Sequence, residues 1–255
     1  MQLKSLISSS KLQKLIIKQL DEFYARRINK LSGLDLKKTL MRKNPYLFKA
    51  VGTSDAPEIV KGMLTAYMSS SDEGIFGDAF FEPLAKEICS GSYSPSPGVD
   101  IVVEDEHQIR AYAIKSGPSV FNSQSRAKQL DEFNKLRARL QKGKKAFDAV
   151  VGYSYGRKGE SKGGFREVAG QELWEELTGD PEFYLRLVTM MADHPIAHRA
   201  IYEEEFNKAV NRFVRDFTLD FCNSDGSIKW EELVRFNSGK EPPKRSPRKA
   251  KKVKG

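Results

Sequence analysis

Asp100 and Lys115 stand at the two ends of a stretch patterned as a β-hairpin, and as a pair they could carry phosphodiester chemistry. A carboxylate on one strand can bind a hard divalent cation. An ammonium closing the next strand can steady charge on a phosphate or polarise a water. The stretch reads Gly98-Val99-Asp100-Ile101-Val102-Val103, then Glu104-Asp105-Glu106-His107, then residues 108–115. Val, Ile and Tyr with little Gly or Pro suit strands, and the charged tetrapeptide suits the tip. Alternation puts Lys115, Ala113, Ala111 and Ile109 on one face and Ile114, Tyr112 and Arg110 on the other. An acid two residues before the lysine would face a metal beside it. That position is Ala113, so the backbone carbonyl of Ile114 is the oxygen donor left there.

A second carboxylate must come from elsewhere. Glu82 is the first candidate, because a helix just before the Asp100 strand could pack it into the same cleft. Glu132, on the helix after Lys115, is the second and Glu87 the third. Each is also accounted for as a solvated surface acid. Asp78 reads equally as a helix-start carboxylate favoured by the dipole.

After Lys115 come Ser116 and Gly117, where glycine permits close approach to a phosphate. Asn122, Ser123, Ser125 and Arg126 cluster at a helix N-terminus, an anion site by geometry, though ordinary N-cap chemistry explains Ser123 and Ser125 as well. Arg126 and Lys128 are candidates for phosphate contacts. Arg157, Lys158 and Lys162 are set among glycines in a stretch that suits either a DNA-contacting loop or a plain solvated one.

The net charge of +9 favours a polyanionic partner, but it is uneven. Residues 240–254 hold eight Lys or Arg and one acid, so the rest of the chain is nearly balanced. Apolar content of 39% with 15 Phe can fill a core in 255 residues. No apolar run approaches a membrane span, and the N-terminus lacks the pattern of a signal peptide. Cys89 and Cys222, without CxxC spacing, fit a reducing cytoplasm and argue against a structural zinc site. His194 and His198 have i,i+4 spacing, but Pro195 lies between them and no HExxH surrounds them, so they read as solvated or capping residues.

The periodicity predicts helices through most of residues 1–70, with Asp55 and Pro57 marking one start and Ile59, Met63 and Tyr67 on its face. The run Ser69-Ser70-Ser71-Asp72-Glu73-Gly74 is expected to end that helix. Another falls within 77–89, with Pro83 in its first turn. A loop covers 90–98, the hairpin follows, a helix runs from Ser123 or Ser125 to about Gln141, and 147–153 is a buried strand. The order helix–β–β–α–β predicts an α/β core with a central mixed sheet flanked by helices. The expected organisation is a helical region over 1–70, the core over 71–155, a mostly helical region over 156–238 packed on the core, and a basic tail over 239–255 that cannot bury a core by itself.

Several blocks together resemble a known family. Gly98-Val99-Asp100, Ala113-Ile114-Lys115-Ser116-Gly117-Pro118 and Phe121-Asn122-Ser123 resemble the core of type II restriction endonucleases of the PD-(D/E)XK superfamily, in particular a subgroup with an Ile-Lys-Ser-Gly-Pro block. Asn44-Pro45-Tyr46-Leu47-Phe48, Ser69-Ser70-Ser71, Phe76-Gly77 and Phe81-Glu82-Pro83-Leu84-Ala85 look like its earlier blocks. Gly152-Tyr153-Ser154-Tyr155-Gly156, Gly170-Gln171-Glu172-Leu173-Trp174, Gly179-Asp180, Asp225-Gly226-Ser227-Ile228-Lys229-Trp230 and Asn237-Ser238 look like its later ones. The resemblance covers most of 40–240. It implies a restriction-endonuclease-like fold and a Mg²⁺-dependent cut, with Mn²⁺ as substitute, through both strands of double-stranded DNA at a short site. It also implies a homodimer and a cognate DNA methyltransferase acting separately. By the same resemblance Asp100 is a metal ligand, Lys115 the catalytic lysine and Glu82 the helix-borne acid. The chain departs from the signature at Val99, where a proline is usual, and at Ala113, where the second acid is usual. A structure-specific repair nuclease of the same fold, and a non-catalytic basic DNA-binding protein, are the competing readings.

Overall fold

The computed structural model describes residues 8–89, 92–93, 96–119, 121–140, 145–157, 161 and 163–240. Lys158, Lys162 and nearly all of the basic tail lie outside them. The described residues form two compact units, one drawn from 1–28 and 69–202, the other from 29–68 and 203–255. No helix among them is long and apolar enough to cross a membrane.

The helices are α1 (Ser9–Ser32), α2 (Leu36–Leu40), α3 (Pro45–Ala50), α4 (Ala56–Phe76), α5 (Glu82–Ile88), α6 (Ser123–Leu140), α7 (Gln171–Thr178), α8 (Phe183–Met191), α9 (His194–Phe221) and α10 (Trp230–Ser238). The strands are β1 (Ser92–Tyr93), β2 (Ile101–Glu104), β3 (Gln108–Lys115), β4 (Ala146–Tyr153) and β5 (Arg166–Ala169), hydrogen-bonded in the order β1-β2-β3-β4-β5. β1, β2 and β3 pair antiparallel, while β3, β4 and β5 pair parallel. The hairpin needs only a tight turn, whereas the parallel step from β3 to β4 needs a crossover, which α6 supplies. The expected α/β core with a mixed sheet between helices is present.

Strand alternation decides the two faces of this sheet. Tyr112 and Ile114 of β3 join Ile101 and Val103 against Phe80, Leu84 and Ile88, with Leu12, Ile16 and Leu20 of α1 and Leu173 and Trp174 of α7. Ala111 and Ala113 face the other way, toward Phe133 and Leu136 of α6. The small side chains at 111 and 113 leave room for those two large ones. Ala113, vacant as a metal ligand, is therefore a core position.

Three local expectations are corrected. The serine run at 69–74 does not end its helix: α4 continues to Phe76 and passes through a π turn (Gly77–Phe81) into α5. Tertiary partners outweigh the weak propensity of this run. Asp72 accepts two hydrogen bonds from Arg27, at 2.8 and 2.7 Å, and that guanidinium lies 3.7 Å from the Tyr202 ring centroid. The stretch read as loop at 90–98 contains β1, two residues long. β5 was also unforeseen. Arg-Glu-Val-Ala has no strand pattern by itself, but it pairs with β4, and Arg166 bridges Asp148 at 2.8 Å and Glu176 at 2.7 Å.

In the second unit, Asp35, Asn44 and Asp55 cap α2, α3 and α4 through their side-chain oxygens. Asn237 Nδ2 donates to the carbonyls of Leu40 and Lys43 at 3.0 and 2.9 Å, tying α10 to the turn after α2.

Candidate active site

Asp100 is placed immediately before β2. Its backbone N–H donates to the Tyr112 carbonyl at 2.8 Å, and its Oδ2 accepts from the Ile114 N–H at 2.8 Å. Gln129 of α6, itself buried, donates from Nε2 to the Gly98 carbonyl at 2.7 Å and anchors the approach to Asp100. At the far side of β3 the Lys115 carbonyl accepts from the Ser154 N–H at 2.8 Å. Backbone groups of successive strand residues face alternate neighbours, so the Ile114 carbonyl faces the Asp100 side.

Glu82 is the first residue of α5, and the structure brings it to Asp100. The charge of Glu82 acts directly on the Asp100 carboxyl: burial and then that charge push Asp100 up to about 6 from its ordinary 3.8. Burial is the largest influence on Glu82 and raises it, but its bonds with Lys86 and Asp100 and the charges of Lys86 and Lys115 together outweigh it and hold Glu82 low. Lys86, one turn on in α5, forms an ion pair with Glu82 and lies 3.8 Å from Asp100 Oδ1. The positive charge of Lys115 also acts on both carboxyls. Two partly buried carboxylates side by side, with a backbone carbonyl aimed the same way, make an all-oxygen donor set. Such a set fits a hard divalent cation, and the Lys86 ammonium already marks the place where positive charge is favoured.

The Lys115 face opens into a cleft of about 350 Å³ lined by Pro97, Gly98, Phe121, Lys128, Gln129 and Glu132, among others. Glu132 thus lines the cleft of Lys115, while Glu87 is exposed on α5 and Asp78 is exposed in the π turn.

The candidate DNA contacts separate by environment. Lys128 is exposed beside Lys115, and Arg157 is exposed after β4. Asn122 and Ser125 cap α6 reciprocally: Asn122 Oδ1 accepts from the Ser125 N–H at 2.8 Å and Ser125 Oγ from the Asn122 N–H at 2.9 Å. Ser123 is exposed at the first position of α6. Arg126 is engaged with the protein, pairing with buried Glu167 at 2.6 Å and lying 4.4 Å from the Phe165 ring centroid.

Ser116 is also engaged. Its Oγ donates to Glu73 Oε1 at 2.6 Å, and the Tyr155 hydroxyl donates to the same oxygen at 2.8 Å. A Cβ on Gly117 would stand 2.4 Å from the Tyr155 ring, which explains the glycine after Ser116. Sequence reasoning passed over Lys86, Glu73 and Tyr155. The i,i+4 spacing of Glu82 and Lys86 was a readable signal. Nothing local links Glu73 to Ser116, 43 residues away.

The mixed sheet flanked by helices, with Asp100 just before β2 and Lys115 at the end of β3, defines an α/β protein with a restriction-endonuclease-like core. A family model described as type II restriction endonuclease EcoO109I matches residues 10–199, and the chain belongs to that family. It is accordingly a restriction endonuclease, a nuclease whose substrate is DNA. Among curated proteins, none matches the chain.

Proposed function

We propose that the chain makes Mg²⁺-dependent double-strand cuts in DNA at a short specific sequence by hydrolysis of the phosphodiester. The observation that carries this reading is the adjacency of Glu82 and Asp100, with Asp100 pushed up to about 6 by burial and by its neighbour's charge. Such a pair is costly by itself and is relieved by a dication.

Asp100, Glu82 and the Ile114 carbonyl are the residues that would hold the ion, with Mn²⁺ as a substitute. When bound, the ion supplies Lewis-acid polarisation of the scissile phosphate and lowers the pKa of a bound water. Lys115 offers its ammonium to the charge that develops on the phosphoryl oxygens as water adds to phosphorus and the ester P–O bond breaks. Glu73 and Tyr155 hold Ser116, and with it the backbone after Lys115, in place. Lys128 and Arg157 supply phosphate contacts, with Lys158 as a further candidate. Asn122 and Ser123 present the exposed N-terminus of α6 to the DNA backbone.

The Ile114–Pro118 block marks the subgroup of the superfamily to which this chain is assigned. A homodimer acting in the cytoplasm beside a separate cognate methyltransferase completes the reading. The sequence boundaries at 70, 155 and 238 remain part of it.

Plasmid digestion with Mg²⁺ or with EDTA tests the proposal, using wild type, Asp100→Ala, Glu82→Ala and Lys115→Ala. Discrete fragments from wild type with Mg²⁺, and none from the variants or with EDTA, are expected. Cleavage confined to branched or mismatched DNA would replace the proposal with a structure-specific nuclease. No metal-dependent cutting on any duplex, methylated or not, would sink it.

A further inference from the structure

Asp21 and the two histidines read from sequence as solvated form a convergent triad. Asp21 Oδ1 lies 2.7 Å from His194 Nε2 and 2.8 Å from His198 Nε2, and the two Nε2 atoms are 3.2 Å apart. One helix turn puts His194 and His198 on the same face of α9. Asp21 comes from α1, 173 residues earlier than His194. All three belong to the unit that carries the sheet.

We propose that Asp21, His194 and His198 form a structural site for a divalent transition-metal ion of the zinc class, which clasps α1 to the first turns of α9. The triangle of donor atoms leaves a point about 2 Å from each corner, displaced from their plane, which is the length of zinc bonds to imidazole nitrogen and carboxylate oxygen. That displacement makes a three-sided pyramid whose fourth position faces solvent, since Asp21 is half-exposed, and a water completes the tetrahedron.

The donor set is the second argument. Two imidazoles and one carboxylate suit zinc, nickel, cobalt or copper, whereas Mg²⁺ prefers oxygen alone. The oxygen donors around Asp100 and the nitrogen-rich triad therefore select different ions. The rings are also held in place. The Tyr24 ring stacks on His198 with centroids 4.5 Å apart and planes 8° from parallel, and the Tyr24 hydroxyl donates to the Pro195 carbonyl at 3.4 Å. Asp21 and Tyr24 sit three residues apart on α1, so one face of that helix supplies both the carboxylate ligand and the support for His198. The cysteine count argued against zinc, but the ligands here are histidine and aspartate.

The test uses the untagged full-length chain, stripped with chelator and exchanged into chelator-free buffer. Calorimetric titration with Zn²⁺ in excess Mg²⁺ should show one tight equivalent, and the bound ion should raise the thermal midpoint. Loss of an outer-shell partner typically weakens a metal site about 10–100-fold, so loss of a ligand in His194→Ala or His198→Ala should cost at least that much. Asp21→Asn, half-exposed and nearly isosteric, keeps the fold and should also weaken binding. Asp100→Ala should leave the Zn²⁺ equivalent unchanged. Co²⁺ should give the visible bands of a tetrahedral site in the wild type and not in the histidine variants. No stoichiometric Zn²⁺, or Zn²⁺ binding undiminished in Asp21→Asn and in the double histidine variant, would overturn the proposal.

Discussion

The ammonium of Lys86 stands 3.8 Å from Asp100 Oδ1 while it also pairs with Glu82, so one cation serves two neighbouring carboxylates. A dication held by those carboxylates must share their charge with Lys86 or displace it. Under the proposed function Lys86 is therefore a built-in counter-charge that competes with the metal those carboxylates would hold.

Lys86→Met should lower the Mg²⁺ concentration needed for half-maximal cleavage, because the competing ammonium is gone. A change of roughly tenfold corresponds to ~1.4 kcal/mol. Cleavage rates across a Mg²⁺ series measure it. If the variant keeps its Mg²⁺ demand but loses its rate at saturation, Lys86 acts on the reaction itself.

Asp100→Asn should abolish cleavage yet stabilise the fold without metal, and the effect should depend on pH. The folded carboxyl holds its proton up to about 6, whereas the ordinary group gives it up near 3.8. Between those values the folded state binds more protons than the unfolded chain, so stability falls as pH rises and the penalty is complete above about 6. The penalty is on the order of 1–3 kcal/mol. Asparagine carries no charge and keeps an oxygen for the Ile114 N–H. Thermal midpoints in EDTA should therefore be higher for the variant at pH 7–8 and converge with wild type toward pH 4, by about 2–4 °C for each kcal/mol. Equal midpoints at all pH values would show that Asp100 carries no such penalty.

Arg126 and Lys128 are two residues apart on α6 and should fail in different ways. Arg126→Ala leaves Glu167, its carboxylate 1% exposed, without its guanidinium partner, while the Tyr153 hydroxyl still donates to Glu167 Oε2 at 2.8 Å. Removing one partner of a buried pair costs about 3 kcal/mol or more, so this variant should lose thermal stability first. Lys128→Ala should keep the wild-type midpoint and weaken DNA binding evenly across sequences, reducing the slope of log K against log salt by about 1. Denaturation and salt-dependent gel-shift measurements on the two variants separate the roles. An Arg126→Ala protein of full stability with weakened DNA binding would return Arg126 to the phosphate contacts.

Much of the core was legible because its signals are local. The hairpin around Glu104–His107 follows from β-formers flanking a charged tip, and α6 from apolar residues at helical spacing after a cap. Pro83 marked α5, and the search for an acid to replace Ala113 led to Glu82. The serine run within α4 and the short strand β5 were misread for one shared reason. Their intrinsic preferences are weak, and partners far away in sequence decide them: Arg27 for Asp72, and β4 for Arg166–Ala169.

The class of fold and the residue types at the strand ends were already set along the chain. Periodicity, turn chemistry and the vacancy at Ala113 are properties of neighbouring residues. Which charges meet across the fold depends on long-range packing. That packing set Lys86 between Glu82 and Asp100, turned Arg126 inward to Glu167, and brought Asp21 to His194 and His198. Electrostatic and coordination chemistry act over a few ångströms of space, and no spacing along the chain encodes distances between groups that folding brings together.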